Sequence, residues 1–202
     1  GMTHLYTGRF NEAVDCFSML LDYDLRNSNL REDVLYRMGM SQYGAKKYDQ
    51  AEKTFLICVQ DYPNGNLISD VYGMIGDINV ANEMLHNAIK YYDNAIIHAE
   101  NMDQHNYPFF QRAKIWESLN EFELIIESME LYLNQFKGRA DYVNAVLMSM
   151  NAYEAIDNYP EALILLLDTI EEYGGDTDKV GVESLQERLI TDYRKKNLSI
   201  YK

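Results

Sequence analysis

The residues best suited to metal or proton chemistry are few. The chain has four histidines, His4, His86, His98 and His105. Two of them fall in the stretch HAENMDQH, which puts His98, Glu100, Asp103 and His105 close together along the chain. Imidazoles and carboxylates in such a set could hold a metal, but the spacing matches no dedicated site, and a solvated polar turn between helices accounts for it better. Acid pairs such as Glu171 and Glu172 would serve acid–base catalysis only inside a walled pocket that shifts their pKa values. On an open helix they are solvent-face charges. Cys16 and Cys58 lie in the apolar stretches AVDCFSMLL and FLICVQ and read as small buried hydrophobes. They suggest no disulfide framework. A nucleophile elbow, a phosphate-binding loop and a glycine-rich turn are all missing from the sequence. The chemistry therefore points away from an enzyme, and no catalytic residue, metal ligand or cofactor is assigned.

Composition narrows the alternatives. Eighteen basic against 32 acidic residues leave a formal charge of −14. That field repels nucleic acid and anionic lipid, so neither is an expected partner. Arg194, Lys195 and Lys196 form the single basic cluster, which a solvated helix end explains equally well. Hydrophobic residues make up 47%, enough for a core, and the low counts of 11 glycines and 3 prolines favour long helices. Pro63, Pro108 and Pro160 are expected at helix boundaries. The longest apolar run, Ala162 to Leu167, is far too short to span a membrane. No signal peptide is visible, which favours a cytoplasmic setting. Gly1 before Met2 has the look of a residue left by tag removal, which would make the chain a piece of a longer one, and a bacterial envelope or periplasmic setting is then the alternative.

What positions the side chains is a repeat. Gly39 and Gly76 are 37 residues apart, and so are Ala51 and Ala88. The same step leads to Ala113 and Ile125, then to Met150 and Ala162. The bulky residue after the alanine keeps the step as Phe55, Tyr92, Met129 and Leu166. The one before it does so as Tyr48, Leu85, Phe122 and Tyr159. Phe10, Ala13 and Phe17 form a partial first unit, one residue out of step. Each full unit reads as two amphipathic helices, with Leu35, Met38, Gln42 and Tyr43 on one stripe and Ala51, Phe55, Cys58 and Val59 on the next. Asn29 with Glu32, and Asn158 ahead of Glu161, look like helix caps. Gly138 and the Gly174–Gly175 pair look like helix stops. Helices are expected over 10–22, 30–44, 48–61, 67–82, 85–99, 107–119, 122–136, 140–156, 160–173 and 178–196. Gly39 is expected to meet Ala51 where the two helices of a hairpin cross.

These positions resemble the tetratricopeptide repeat. Its pattern places tryptophan, Leu-Gly and tyrosine on a first helix, then alanine with phenylalanine four residues on, then proline, over about 34 residues. Leu35, Met38-Gly39, Ala51, Phe55 and Pro63 match it, while Gln42 replaces the tyrosine, with Tyr43 beside it. Tyr72, Ile75-Gly76, Ala88, Tyr92 and Ala95 match it again. The later units are looser. The longer period fits extra residues between units, as in DYPNGNLISD, and turns of that kind resemble those of bacterial envelope-assembly lipoproteins built from this repeat. The resemblance implies an all-α solenoid of stacked antiparallel helical hairpins winding as a right-handed superhelix. It implies one array over 1–202, with a partial repeat at 1–29, repeats at 30–66, 67–103, 104–140 and 141–177, and a closing helix and tail at 178–202.

The same resemblance implies a binding face on the concave side, formed by the first helix of each unit. Carried over position by position, the inward residues of the first full unit are Asp33, Tyr36, Met40 and Tyr43. The second supplies Asp70, Gly73, Asp77 and Val80. The third supplies Tyr107, Phe110, Lys114 and Glu117, and the fourth Asn144, Leu147, Asn151 and Glu154. Steps of three and four residues keep each set on one helical face. Tyr36, Met40, Tyr43, Asp77, Tyr107, Phe110, Lys114, Asn144, Leu147 and Asn151 are the candidate contacts for a protein or peptide segment, apolar or basic. The clamp of basic and amide residues that some members use for chaperone tails is largely missing. The expected function is a non-enzymatic interaction scaffold, with a regulatory or sensor region of a longer signalling or envelope protein as the alternative. Helix 10–22 lacks a full partner and is the expected sticky end should the chain form a homodimer.

Overall fold

A computed structural model gives the fold and describes residues 1–22, 29–137, 141–173, 187–188 and 191. Among these there are ten helices and no strand: α1 (Met2–Tyr6), α2 (Phe10–Asp22), α3 (Asn29–Gly44), α4 (Tyr48–Asp61), α5 (Ile68–Ala81), α6 (Leu85–Ile97), α7 (Met102–Ser118), α8 (Phe122–Gln135), α9 (Tyr142–Ala155) and α10 (Tyr159–Tyr173). Consecutive helices pack as antiparallel hairpins, α3 on α4, α5 on α6 and α9 on α10, and successive hairpins stack. The chain divides into two compact units, residues 1–112 and 113–202, each built from packed antiparallel helices. The expected helix 178–196, its basic cluster and the glycine stops at 138 and 174–175 lie outside the described residues.

The repeat sets the turns as firmly as the helices. Lys46, Glu83, Asn120 and Asp157 all have φ near +60°, one per hairpin and 37 residues apart, and Gly8 has φ 72° at the equivalent place in the partial unit. At each of them the next residue's N–H reaches back to a carbonyl five residues earlier: Arg9 to His4, Lys47 to Gln42, Met84 to Asn79, Glu121 to Trp116 and Asn158 to Tyr153, at 2.8–2.9 Å. This left-handed closure satisfies helix-end carbonyls and lets the chain reverse within two or three residues. Only Gly8 adopts it without steric cost.

Helix crossings are built on complementary volumes. A Cβ on Gly39 would lie 2.5 Å from Phe55 Cε1, and one on Gly76 would lie 2.5 Å from Tyr92 Cε1. The glycine thus receives the ring sixteen residues on, and this, not contact with Ala51, is what requires it to be small. Ala51 and Ala88 are themselves fully buried beside these rings. Ala113 with Met129, and Met150 with Leu166, occupy the same two positions, all fully buried. Where the first residue is glycine the second is a ring, and where the first is larger the second is an unringed aliphatic chain. In the first unit Leu35, Ala51, Phe55, Cys58, Val71, Ile75 and Ile78 form one cluster, and Ala13, Phe17 and Val34, packed by Met2 and Leu5 of α1, form another. On α2, Met19 is 64% exposed.

Two local expectations are corrected. Pro108 lies inside α7 instead of at its start. The helix begins earlier because Asn101 Oδ1 accepts the Gln104 N–H at 3.0 Å while Gln104 Oε1 accepts the Glu100 N–H at 3.0 Å. That reciprocal cap supplies a start that the sequence NMDQ already contains. Glu32, expected to cap α3, instead turns its buried carboxylate to the Leu67 N–H at 2.9 Å, tying α3 to the turn that leads into α5. The Asn29 side chain lies outside the described residues.

Candidate partner-binding face

In the first unit, α3, α5 and the start of α7 bring their inward positions together around one carboxylate. Asp77 Oδ1 accepts the Tyr92 hydroxyl at 2.6 Å, and both its oxygens accept the Tyr107 hydroxyl at 2.9 Å. Burial pushes the Asp77 carboxyl up, and the two hydroxyl donors partly offset this. The phenols respond in the same sense. Burial, then the Asp70 carboxylate, pushes Tyr36 up to about 12. Burial with Asp77 beside them raises Tyr107 and Tyr92 further, and Tyr43 is raised by burial first and Asp77 second. All four phenols are therefore neutral donors at physiological pH.

The remaining residues of this face have visible supports. Tyr36 packs its ring 6.1 Å from Phe55, and Tyr43 lies 5.4 Å from Tyr48. Both are half-buried, as is Met40, and all three cover the core cluster of the first unit. Tyr107 is 49% exposed, so its ring remains available to a partner while its hydroxyl is held. Asp70 accepts from Gln104 Nε2 at 3.2 Å. Asp33 is bound by Arg37 Nε at 2.7–2.8 Å. Phe110 meets Phe109 edge-on at 5.6 Å. In the second unit Lys114, Asn144 and Asn151 are exposed and Leu147 is half-buried. Glu154 pairs with Arg188 at 2.8 Å.

Sequence reasoning missed the part played by Tyr92. It occupies the packing position of Phe55 but carries a hydroxyl, and in the same unit Asp77 occupies the position of Met40. The exchange of an apolar pair, Met40 with Phe55, for a hydrogen-bonded pair, Asp77 with Tyr92, one repeat later is the signal that could have revealed the contact. The four polar residues of HAENMDQH disperse. His98 Nδ1 lies 2.8 Å from Asn94 O and its ring 5.2 Å from Tyr72. His105 stacks 5.4 Å from Phe109, and burial, with Arg112 nearby, pushes its pKa down. Among the described residues no three His, Cys, Asp or Glu converge as metal ligands. Cys58 is free and buried, its thiol pushed up to about 12 by burial. Cys16 is free and only partly buried, 3.8 Å from His4 Nδ1. No helix among the described residues is long and apolar enough to cross a membrane.

Comparison with known proteins places this architecture. A tetratricopeptide-repeat family model matches residues 33–65. A crystal structure of MamA protein matches at TM-score 0.66 and 17% identity over 88% of this chain and 90% of that one. A Podosopora anserina putative kinesin light chain with nearly identical TPR-like repeats matches at TM-score 0.65 and 12% identity, covering 88% and 92%. BtubC (BKLC) from P. vanneervenii matches at TM-score 0.64 and 12% identity, covering 87% and 77%. At such identities the likeness is one of fold. No curated protein sequence matches the chain significantly. One repeat of the chain is thus matched by the tetratricopeptide-repeat family model, and the solved structures share the fold of the hairpins around it.

Proposed function

We propose that the protein is a non-enzymatic scaffold whose first unit holds an extended partner segment on the face formed by α3, α5 and the start of α7. The fold is consistent with protein–protein interaction, and proteins of this repeat are generally non-enzymatic. The observation that carries the finer reading is the row Tyr36, Met40, Tyr43 and Tyr107. Three aromatics and a methionine stand at inward positions of first helices, partly exposed and held by their neighbours. Rigid aromatics that are already positioned lose little entropy on binding and make good anchors. Residues Lys114, Asn144, Leu147 and Asn151 of the second unit are proposed as further contacts for the same kind of segment.

The test is recovery of a partner by the wild type and by the triple variant Tyr36→Ala, Met40→Ala and Phe110→Ala, with folding confirmed by circular dichroism. The proposal expects recovery to be lost. Undiminished recovery by the folded variant removes the assignment.

A further inference from the structure

The turn between α4 and α5 carries a chemically labile pair that the binding face does not use. Asn64-Gly65 is the only asparagine–glycine pair in the sequence. Tyr62, Pro63, Asn64 and Gly65 form a reverse turn, closed by the Gly65 N–H donating to Tyr62 O at 3.0 Å. Asn64 is not among the residues with positive φ, so the turn is of type I, with proline at its second position and asparagine at its third.

The glycine is there for packing. A Cβ on Gly65 would lie 2.1 Å from Glu32 Oε1 and 2.9 Å from Glu32 Oε2. Glu32 is 8% exposed, and the same Oε1 accepts the Leu67 N–H at 2.9 Å. With Glu32 buried and bound, a side chain at residue 65 would displace it. The carboxylate from α3 thus clasps the turn just before α5 begins.

That requirement has a chemical consequence. An asparagine followed by glycine cyclises readily, because no side chain shields the glycine nitrogen from the asparagine amide. The Gly65 nitrogen attacks Asn64 Cγ, a C–N bond forms and the Cγ–Nδ2 bond breaks. Ammonia leaves with the proton from the Gly65 N–H, and the product is a cyclic succinimide. Water then opens the ring. Attack at Cγ gives aspartate. Attack at the main-chain carbonyl gives isoaspartate, whose backbone runs through the side chain and is longer by one carbon. Asn64 is exposed and shares an open cleft with Glu32 and Gly65, so water reaches it. The fold restrains the first step, because the attacking nitrogen has its N–H committed to Tyr62 O. Cyclisation waits for the turn to open.

We propose that Asn64 is a site of self-modification gated by the Glu32 clasp. While the clasp holds, the turn stays closed and Asn64 persists. Once it opens, ring formation competes with reclosure. Either product places a new carboxylate in the cleft that Glu32 lines, where like charges repel. Isoaspartate also lengthens the main chain where Gly65 has no room to move. The Glu32–Leu67 bond is then not remade, and a reversible opening of the joint between α3 and α5 becomes permanent.

The test incubates the intact chain and a synthetic peptide of residues 61–68 at mildly alkaline pH. Liquid chromatography with mass spectrometry then separates the asparagine, aspartate and isoaspartate forms. The proteins are wild type, Glu32→Gln, which keeps the volume and weakens the acceptor, and Glu32→Ala, which removes it; circular dichroism confirms folding. Conversion at Asn64 is expected in the folded wild type, slower than in the peptide. It should rise about tenfold in Glu32→Ala, where a hydrogen bond to a charged acceptor is lost, with Glu32→Gln between. Converted wild type should lose hydrogen-exchange protection at the Leu67 amide. No conversion at Asn64 in the folded chain, while the peptide converts, overturns the site. Wild type converting as fast as the peptide, or variants converting at the wild-type rate, overturns the gate. A Leu67 amide still protected after conversion overturns the loosened joint. Should Glu32→Ala melt below the incubation temperature, wild type against Glu32→Gln decides by the same results.

Discussion

Gly73 and Gly76 lie three residues apart on α5, and an alanine at each should have opposite consequences. Both substitutions gain the same helix propensity, about 0.5–1 kcal/mol, because glycine costs that much in a helix interior. At Gly73 nothing opposes the gain, since the nearest atom to the new methyl is Tyr107 Cδ1 at 4.0 Å. Gly73→Ala should therefore stabilise the chain by about that amount. At Gly76 the methyl would sit 2.5 Å from Tyr92 Cε1, well inside contact distance. Tyr92 cannot easily give way, because it is 1% exposed and its hydroxyl is bound to Asp77 at 2.6 Å. Overpacking of this kind costs about 1–3 kcal/mol. Because the propensity gain cancels between the two variants, Gly76→Ala should be less stable than Gly73→Ala by about that whole cost. In a chain of this size each kcal/mol moves Tm by about 2–4 °C. The assay is urea unfolding followed by circular dichroism, with thermal melts alongside. Gly39→Ala, 2.5 Å from Phe55, should behave like Gly76→Ala. If Gly76→Ala and Gly73→Ala melt together, the crossing is not close-packed at its glycine and the volume argument fails.

Other expectations follow from the turns, the cap and the phenols. Glu83 and Asp157 hold φ near +60° without being glycine, so Glu83→Gly or Asp157→Gly should stabilise by up to about 1 kcal/mol in urea unfolding, and destabilisation would show the side chain to be needed. Asn101→Ala should cost about 1 kcal/mol and release amide protection at the start of α7, where Asn101 and Gln104 cap each other; unchanged hydrogen exchange over residues 102–107 would contradict the cap. Folding raises the pKa of Tyr36 from about 10 to about 12, so the folded state holds that proton longer than the unfolded chain does. The stability that Tyr36 contributes is intact below pH 10 and lost as pH rises through about 12. Phenolate absorbance should then show a group of tyrosines that ionise only as the chain unfolds, whereas complete titration of all tyrosines near pH 10 in a folded chain would contradict their burial.

Much of this architecture is legible along the chain because it repeats. A step of 37 residues places the hairpins and their small-and-large crossings, and the left-handed residues Lys46, Glu83, Asn120 and Asp157 keep the same step. What the sequence conceals is local and competitive. Pro108 reads as a helix boundary because it lacks an N–H, yet the cap at Asn101 and Gln104 outweighs that loss and starts the helix a turn and a half sooner. Glu32 has the spacing of a cap but is taken by the Leu67 N–H. Tyr92 shows its packing role in the repeat and hides its polar one until Asp77 is read with it. Gly73 and Gly76 are the same letter, and only the distance from a missing Cβ to its neighbours separates a glycine needed for packing from one that has room for a methyl.

The most direct test of the binding face sets it against the opposite side of the same unit, where Leu56 and Ile57 are 42% and 43% exposed on α4. Isothermal titration of a library-selected peptide into the wild type, into Tyr36→Ala/Met40→Ala/Phe110→Ala and into Leu56→Ala/Ile57→Ala decides between them. The account predicts at least a tenfold loss in the first variant and none in the second. Wild-type affinity in the first variant, with loss in the second, would place the partner on the second helices of the hairpins and contradict it.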